Sequence, residues 1–189
     1  MTEFLRLAVL FIAAVNPAAA ALALATGAER TSGRPRWHIS AVGIAVAAAC
    51  FVVAAVFATH ILNGLAIEPE SFRIAAGGVM AMVGAQVIWR GKAASMPPDG
   101  AEGWQVAVFP LAIPILAGPA SILAAVSISA DHGSGDTLGA AAIALGIAFL
   151  LLIVRPERAR PALDGIARLT AALLVAFAVA LVISGIKAV

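Results

Sequence analysis

Two proline-containing interruptions of long apolar stretches are the places where this sequence could do chemistry. Asn16-Pro17 interrupts the first stretch, and Gly118-Pro119 ends a proline-rich run over 110–119 in the fourth. Proline removes a backbone donor and displaces the carbonyl four residues back. Hydrocarbon offers no water to the freed groups, so they must face protein or a polar cavity. Two interruptions in matching positions therefore predict a polar binding site near the centre of a membrane, as in many secondary transporters.

The residue types around each interruption indicate what such a site would bind. Pro17 leaves the carbonyls of Ala13 and Ala14 free to coordinate a cation, and Asn16 adds an amide that donates and accepts. Pro119 suits the first turn of a new helix, whose free N–H groups can bind a carboxylate. We expect Asn16→Leu to abolish transport while leaving folding largely intact. The predicted substrate-binding residues are Asn16, Pro17, Ala117, Gly118, Pro119, Ala120 and Ser121.

Two arginines at the ends of apolar stretches are candidate gates. Arg73 and Arg168 open the third and sixth stretches from opposite faces. Each could anchor its helix end by extending its charge to the lipid head groups. Alternatively, the pair could form symmetric gates that hold the inner and outer vestibules. Gln86 and other isolated polar residues near the ends of stretches are predicted to make hydrogen bonds between helices. A face of small residues on the third stretch predicts close helix packing; its members are Gly77, Gly78, Ala81, Gly84 and Ala85.

No Asp or Glu lies deep within an apolar stretch. The carboxylate relay typical of H⁺ coupling is therefore missing, and coupling to Na⁺ through backbone carbonyls or no coupling is open. The Gly-Ser-Gly-Asp run at 133–136 matches an intramembrane aspartyl protease pattern, a remote alternative, because no neighbouring stretch supplies the second carboxylate. Asp131, His132 and Asp136 could bind a metal ion, but a solvated turn explains them. We therefore predict no enzyme activity, no metal site and no cofactor.

The composition is that of an integral membrane protein. The 189 residues are 62% hydrophobic and 12% charged, with a mean hydropathy of +1.04; soluble domains are about half apolar and a quarter charged. The expected partners are the lipid bilayer and a small solute, without nucleic acid, and a homo-oligomer is left open. The sequence predicts one all-helical transmembrane domain over 1–189 with six spans, at about 4–26, 39–62, 72–89, 104–129, 138–154 and 169–186.

The distribution of Lys and Arg predicts the orientation. Nine of these residues lie in the first, third and fifth connections, including Arg30, Arg34, Lys92, Arg155 and Arg158, and three lie on the opposite side. Positive charge accumulates on the cytoplasmic side of a membrane. The sequence therefore predicts that both termini of this multi-pass protein are extracytoplasmic.

An internal repeat relates the two halves of the chain. An offset of 95 residues aligns the third stretch with the sixth and pairs Arg73 with Arg168 and Lys92 with Lys187. An offset of 102 aligns the first stretch with the fourth and brings Asn16-Pro17 onto Gly118-Pro119. Each half holds an odd number of spans, so the halves must be inverted relative to each other. We predict two inverted three-helix repeats, 1–93 and 104–189, whose first and fourth helices are broken.

These motifs together resemble the MarC family of bacterial inner-membrane proteins. The resemblance is carried by Asn16-Pro17, by the run at 72–78, by the fourth-stretch run at 109–119 and by the run at 165–169. It implies a place near the LysE-type exporter superfamily and transport of small neutral amino acids such as glycine or alanine. The leading hypothesis is a secondary transporter of small neutral solutes that works by alternating access. The alternative is a non-transporting membrane scaffold or assembly subunit.

Overall fold

The computed structural model describes residues 2–27, 36–90, 103–153 and 160–188, and every regular element in these ranges is helical. The basic residues counted at 30, 34, 92, 155 and 158 lie outside the described residues. The elements are α1 (Thr2–Val15), α2 (Pro17–Gly27), α3 (Arg36–Val56), α4 (Ala58–Gly64), α5 (Pro69–Arg90), α6 (Gly103–Val106), an irregular helical segment (Ala107–Leu116, here the proline segment), α7 (Pro119–His132), α8 (Ser134–Ile153) and α9 (Arg160–Ala188).

The number of spans agrees with the sequence prediction. Five helical stretches are long and apolar enough to cross a membrane, the first being Thr2–Ala25 across the break at Asn16. The proline segment and α7 together pass the same test, although they meet at a bend of 57°. Counting this bent pair as one span gives six. The chain is therefore an all-helical membrane protein with several crossings.

The predicted interruptions are present, and their local causes are visible. Asn16 separates α1 from α2 with a φ of 48°, a left-handed conformation that Asn tolerates better than most residues. In the proline segment, Phe109 and Ile113 have extended backbones. Each precedes a proline, whose ring disfavours the helical conformation of the residue before it. The sequence therefore dictates both breaks locally.

Helices α5 and α9 pack closely and antiparallel at three glycines, Gly77 and Gly84 on α5 and Gly185 on α9. A Cβ on Gly77 would lie 2.6 Å from Val182, and one on Gly84 would lie 2.7 Å from Val175. Rising residue numbers on α5 thus meet falling numbers on α9. The small-residue face predicted on the third stretch is confirmed at these two positions, because only glycine permits so close an approach of the two helices.

The last helix begins earlier than predicted. It starts at Arg160 rather than near 169, so Arg168 lies within α9 and not at its start. A helix of 29 residues is about 44 Å long at 1.5 Å per residue, longer than the hydrocarbon thickness of about 30 Å. The first turns carry charged side chains that hydropathy excludes from a span. They form helix beyond the apolar stretch.

Candidate functional site

A cavity of about 170 Å³ is lined by four spans. Two of them are the broken ones, α1 with α2 and the proline segment with α7, and the other two are α5 and α9. The cavity brings together four of the predicted substrate-binding residues, Asn16, Gly118, Pro119 and Ala120. The other three, Pro17, Ala117 and Ser121, are not part of its wall. The described residues that line it are Ala13, Ala14, Val15, Asn16, Ala19, Val83, Gln86, Val87, Pro114, Ile115, Gly118, Pro119, Ala120, Ala171 and Leu174.

At the first break, the Asn16 side chain is engaged by the protein itself. Its Nδ2 donates to the carbonyl of Ala167 on α9 at 2.9 Å, and its Oδ1 accepts from the N–H of Ala19 at 3.2 Å. The second contact is a helix N-cap for α2. Since an amide has two donor hydrogens and two acceptor positions, one of each is left for a ligand. The Asn16 side chain thus stabilises the break by its contacts with Ala19 and Ala167.

The carbonyls freed by Pro17 lie at the same cavity. Pro17 has no N–H, so it cannot serve the carbonyl of Ala13 as the residue four positions on normally would. Ala13 and Ala14 both line the cavity. The end of α1 therefore borders the cavity, and the use of its carbonyls as acceptors for a solute stays a prediction.

At the second break, no side chain caps the new helix. Gly118 is the N-cap residue of α7, with extended backbone angles and no side-chain hydrogen bond, and Pro119 follows in the first turn. The Ser121 hydroxyl contacts two carbonyl oxygens instead, those of Leu116 at 2.8 Å and Gly118 at 3.0 Å. The first-turn N–H groups of a helix have no partner within it. The start of α7, where Ala120 lines the cavity, is therefore suited to an anion.

Gly118 is required by a close approach of backbone atoms. A Cβ at this position would lie 2.5 Å from the carbonyl oxygen of Pro114. That is far inside van der Waals contact, so any side chain would displace either the proline segment or the start of α7. Glycine keeps the two sides of the break together at the cavity.

The two predicted gate arginines have different partners. Arg73 on α5 binds Asp131 near the end of α7 through two contacts, one of them Nε to Oδ2 at 3.0 Å. Both side chains are partly exposed, at 21% and 23%. Arg168 binds Asp164, one turn earlier in its own helix, at 2.9 Å, and this pair is more exposed. Arg73 therefore joins two different helices, whereas Arg168 makes only a local ion pair.

The gate arginines lie at opposite ends of the bundle, and the cavity is nearer to Arg168. A Cβ on Gly185 would lie 3.4 Å from the Cβ of Arg73, which places Arg73 level with the end of α9. The cavity residues of α9, Ala171 and Leu174, follow Arg168 by about one and two turns. The bundle thus has an ion pair between two helices at the Arg73 end and the cavity nearer to the Arg168 end.

The acidic cluster considered as a metal site has another role. Asp131 binds Arg73. Within the described ranges, no group of three or more His, Cys, Asp or Glu residues is arranged to hold a metal ion. An ion pair between helices therefore accounts for Asp131.

Gln86 was not among the predicted site residues. It lines the cavity with Val83 and Val87, is an exposed residue, and makes no hydrogen bond among the residues that the structure describes. The predicted hydrogen bond to another helix is therefore absent. The sequence could have pointed to Gln86, because it is an isolated polar residue in an apolar span. An amide without a hydrogen-bond partner is energetically unfavourable in a span unless it faces a polar cavity.

Comparison with known sequences agrees with the resemblance seen in the motifs. The family model described as "MarC family integral membrane protein" matches residues 1–189. A UPF0056 membrane protein of Methanocaldococcus jannaschii is 26% identical over 185 residues, which cover 92% of this chain and 90% of that protein. A UPF0056 membrane protein of Pyrococcus horikoshii is 30% identical over 88 residues, 47% of this chain and 43% of that protein. No solved structure matches.

Proposed function

Because this chain belongs to the MarC family of integral membrane proteins, we propose that it is a secondary transporter of small neutral solutes. Amino acids the size of glycine or alanine are its proposed substrates, and the bacterial inner membrane is its proposed location. The observation that carries this proposal is the cavity between the two broken helices. A scaffold would fill that volume with alanine and leucine side chains.

The cavity's size and lining favour a small, uncharged solute. An engineered cavity of about 150 Å³ binds benzene, which has six heavy atoms, and alanine has the same number. None of the described lining residues has an ionisable side chain, and only Asn16 and Gln86 have polar ones. An ionic solute would be left without a counter-charge in a low-dielectric site. A zwitterion has no net charge and needs only dipoles of both signs.

The two breaks supply those dipoles. The uncapped start of α7 offers N–H groups to a carboxylate, and the end of α1 offers carbonyls to an ammonium group. Carbonyls of this kind can also coordinate Na⁺. Coupling to Na⁺ is thus compatible with the site, and no resident cofactor is proposed.

Helix packing supports two inverted halves. Exchanging the halves would swap α1 with the proline segment, α2 with α7, α3 with α8 and α5 with α9. The α1–α8 contact corresponds to the contact of the proline segment with α3, and the α2–α9 contact corresponds to α7–α5. The self-related pair, α5 and α9, packs antiparallel, as inversion requires.

The difference between the two ends supports alternating access. The Arg73–Asp131 pair joins two helices at one end, which we take as the closed end, while the cavity lies toward the Arg168 end. By the count of basic residues, the closed end is extracytoplasmic and both termini lie on that side. Transport would require the Arg73 end to open as the Arg168 end closes.

Counterflow in proteoliposomes tests this function, since it needs no knowledge of the coupling ion. Vesicles loaded with unlabelled glycine should accumulate labelled glycine from outside, and serine or alanine outside should compete while lysine and glutamate should not. Protein-free vesicles and the Gly78→Ala variant, whose added Cβ meets nothing within 4 Å, serve as controls. Folded protein that shows no counterflow of any common amino acid would support the scaffold alternative instead.

A further inference from the structure

Gln86 is an uncommitted polar side chain on the cavity wall. It lies on α5, four residues before the helix ends at Arg90, and it is exposed. No hydrogen bond to its amide exists among the described residues. Val83 and Val87, on the same face of α5, line the cavity beside it. Among the described residues of α5 that line the cavity, Gln86 alone has a polar side chain, and its amide has both donors and its acceptor available to a ligand.

The other polar side chain of the cavity already makes two hydrogen bonds within the protein. Asn16 donates to Ala167 and accepts from Ala19, and these contacts hold the first break. Ser121, although near the second break, directs its hydroxyl to Leu116 and Gly118 and is 1% exposed. Gln86 is thus the described side chain best able to rearrange around a solute without a cost to the fold.

A zwitterion in this cavity needs an acceptor for its ammonium group besides backbone carbonyls. The carboxylate is assigned to the N–H groups that begin α7, so the donor requirement is met without a side chain. An ammonium group has three donors and no acceptor. Resting on the proposed function, we infer that Gln86 is a substrate-binding residue whose Oε1 accepts from the ammonium group of the transported amino acid.

This contact would make the α-amino group a condition of recognition. A solute of similar size that has the carboxylate but lacks the ammonium, such as acetate or propionate, would leave Gln86 without its partner. A hydrogen bond in which one partner is charged is roughly twice as strong as one between two neutral groups. Gln86 would therefore select amino acids over other small carboxylates.

The test compares Gln86→Leu, Gln86→Met and Gln86→Glu with the wild type in counterflow of labelled glycine, together with glycine binding to the purified protein by calorimetry. Gln105→Leu is the matched control, since Gln105 is the other glutamine and lies outside the cavity wall. Gel filtration in detergent establishes that each variant is folded. The two apolar variants protect the test against a folding failure in one of them.

We expect Gln86→Leu and Gln86→Met to weaken glycine binding and raise KM about tenfold, the effect of losing a hydrogen bond to a charged group. Gln86→Glu should bind glycine at least as well as wild type, because a carboxylate oxygen also accepts from an ammonium. Unchanged binding in the two apolar variants would overturn the inference, and so would a Gln86→Glu defect as large as theirs. A wild type that binds and transports no amino acid would instead overturn the proposed function, and this inference with it.

Discussion

The two helix breaks begin alike and are completed differently. In each, a proline starts a new helix within an apolar span, at Pro17 for α2 and at Pro119 for α7. The first turn of α2 is capped by the Asn16 side chain, which also binds α9. The first turn of α7 begins at a glycine and has no side-chain cap. The difference teaches that a side chain caps the first break, whereas the second break leaves the first-turn N–H groups of α7 without a side-chain cap, and these are the donors that we propose for the solute.

The difference also divides the predicted site residues into two roles. Asn16 is 8% exposed and ties the first break to Ala167, far along the chain. Gly118 has no side chain, and this allows the start of α7 to approach the carbonyl oxygen of Pro114 closely. The first break is therefore expected to control stability, and the second to control substrate binding.

Gly118→Ala should have the largest effect on transport. The added Cβ would lie 2.5 Å from the Pro114 carbonyl oxygen, so the start of α7 must move away from the position at which we propose that it binds the carboxylate. Overpacking costs about 1–3 kcal/mol, and we expect glycine counterflow to fall by about tenfold or more. Gly78→Ala is the matched control, because nothing lies within 4 Å of its added Cβ. Equal counterflow in these two variants would mean that the second break does not bind the substrate.

Asn16→Ala should chiefly reduce stability. The variant loses an N-cap, about 1 kcal/mol, and the hydrogen bond from Nδ2 to the carbonyl of Ala167, about 1 kcal/mol more, while that carbonyl keeps its contact with the Thr170 hydroxyl at 3.0 Å. We expect the midpoint of thermal unfolding in detergent to fall by roughly 4–8 °C. Asn63→Ala, at the other asparagine, which is exposed on α4, should shift the midpoint far less.

This result would replace the expectation that folding survives the loss of the Asn16 amide. An unchanged midpoint for Asn16→Ala, with a full loss of glycine binding, would reverse the roles assigned to the two breaks. Asn16 would then be a ligand for the solute, and its contacts with Ala19 and Ala167 would be dispensable.

The arginines extend the comparison to the two ends of the bundle, with a smaller expected effect. Arg73→Ala removes an ion pair between α5 and α7, whereas Arg168→Ala removes an exposed pair within α9. Such pairs contribute up to about 1 kcal/mol. We therefore expect Arg73→Ala to change the counterflow rate about two- to fivefold and Arg168→Ala to change it less than Arg73→Ala does. Counterflow should recover in the charge-exchanged double variant Arg73→Asp with Asp131→Arg if the ion pair is what matters.

Ser121→Ala should have the smallest effect. The hydroxyl contacts only carbonyl oxygens at the second break and is not part of the cavity wall. Its net contribution to stability is about 1 kcal/mol or less, and glycine binding should change by less than twofold. A loss of binding as large as that of Gly118→Ala would mean that the Ser121 hydroxyl contacts the solute.

Features set by local chemistry could be predicted from the sequence. The spans follow from hydropathy and length, and the breaks follow from what proline does to its own helix and to the residue before it. The small-residue face of α5 was predictable because close helix packing in lipid selects glycine, and Gly77 and Gly84 meet α9 as expected.

Contacts between distant residues could not be predicted. Asn16 binds a carbonyl 151 positions away, and Arg73 binds Asp131 58 positions away. Nothing near Asn16 in the sequence shows that its amide is taken, and Asp131 in isolation resembles an acidic residue in a solvated turn. Gln86 was assigned to helix contacts for the same reason, since its position on the cavity wall depends on how four helices meet.

The most direct measurement follows backbone and side-chain amides at the two breaks by nuclear magnetic resonance during a titration with glycine. Isotope-labelled serine reports the Ser121 N–H at the start of α7, and isotope-labelled asparagine reports Asn16, since Asn63 is the only other asparagine. The Ser121 and Asn16 signals are assigned from the Ser121→Ala and Asn16→Ala variants. We predict that the Ser121 N–H signal shifts downfield and saturates, while the Asn16 side-chain signal moves less. A shift of Asn16 with an unmoved Ser121 would contradict the claim that the uncapped second break binds the carboxylate.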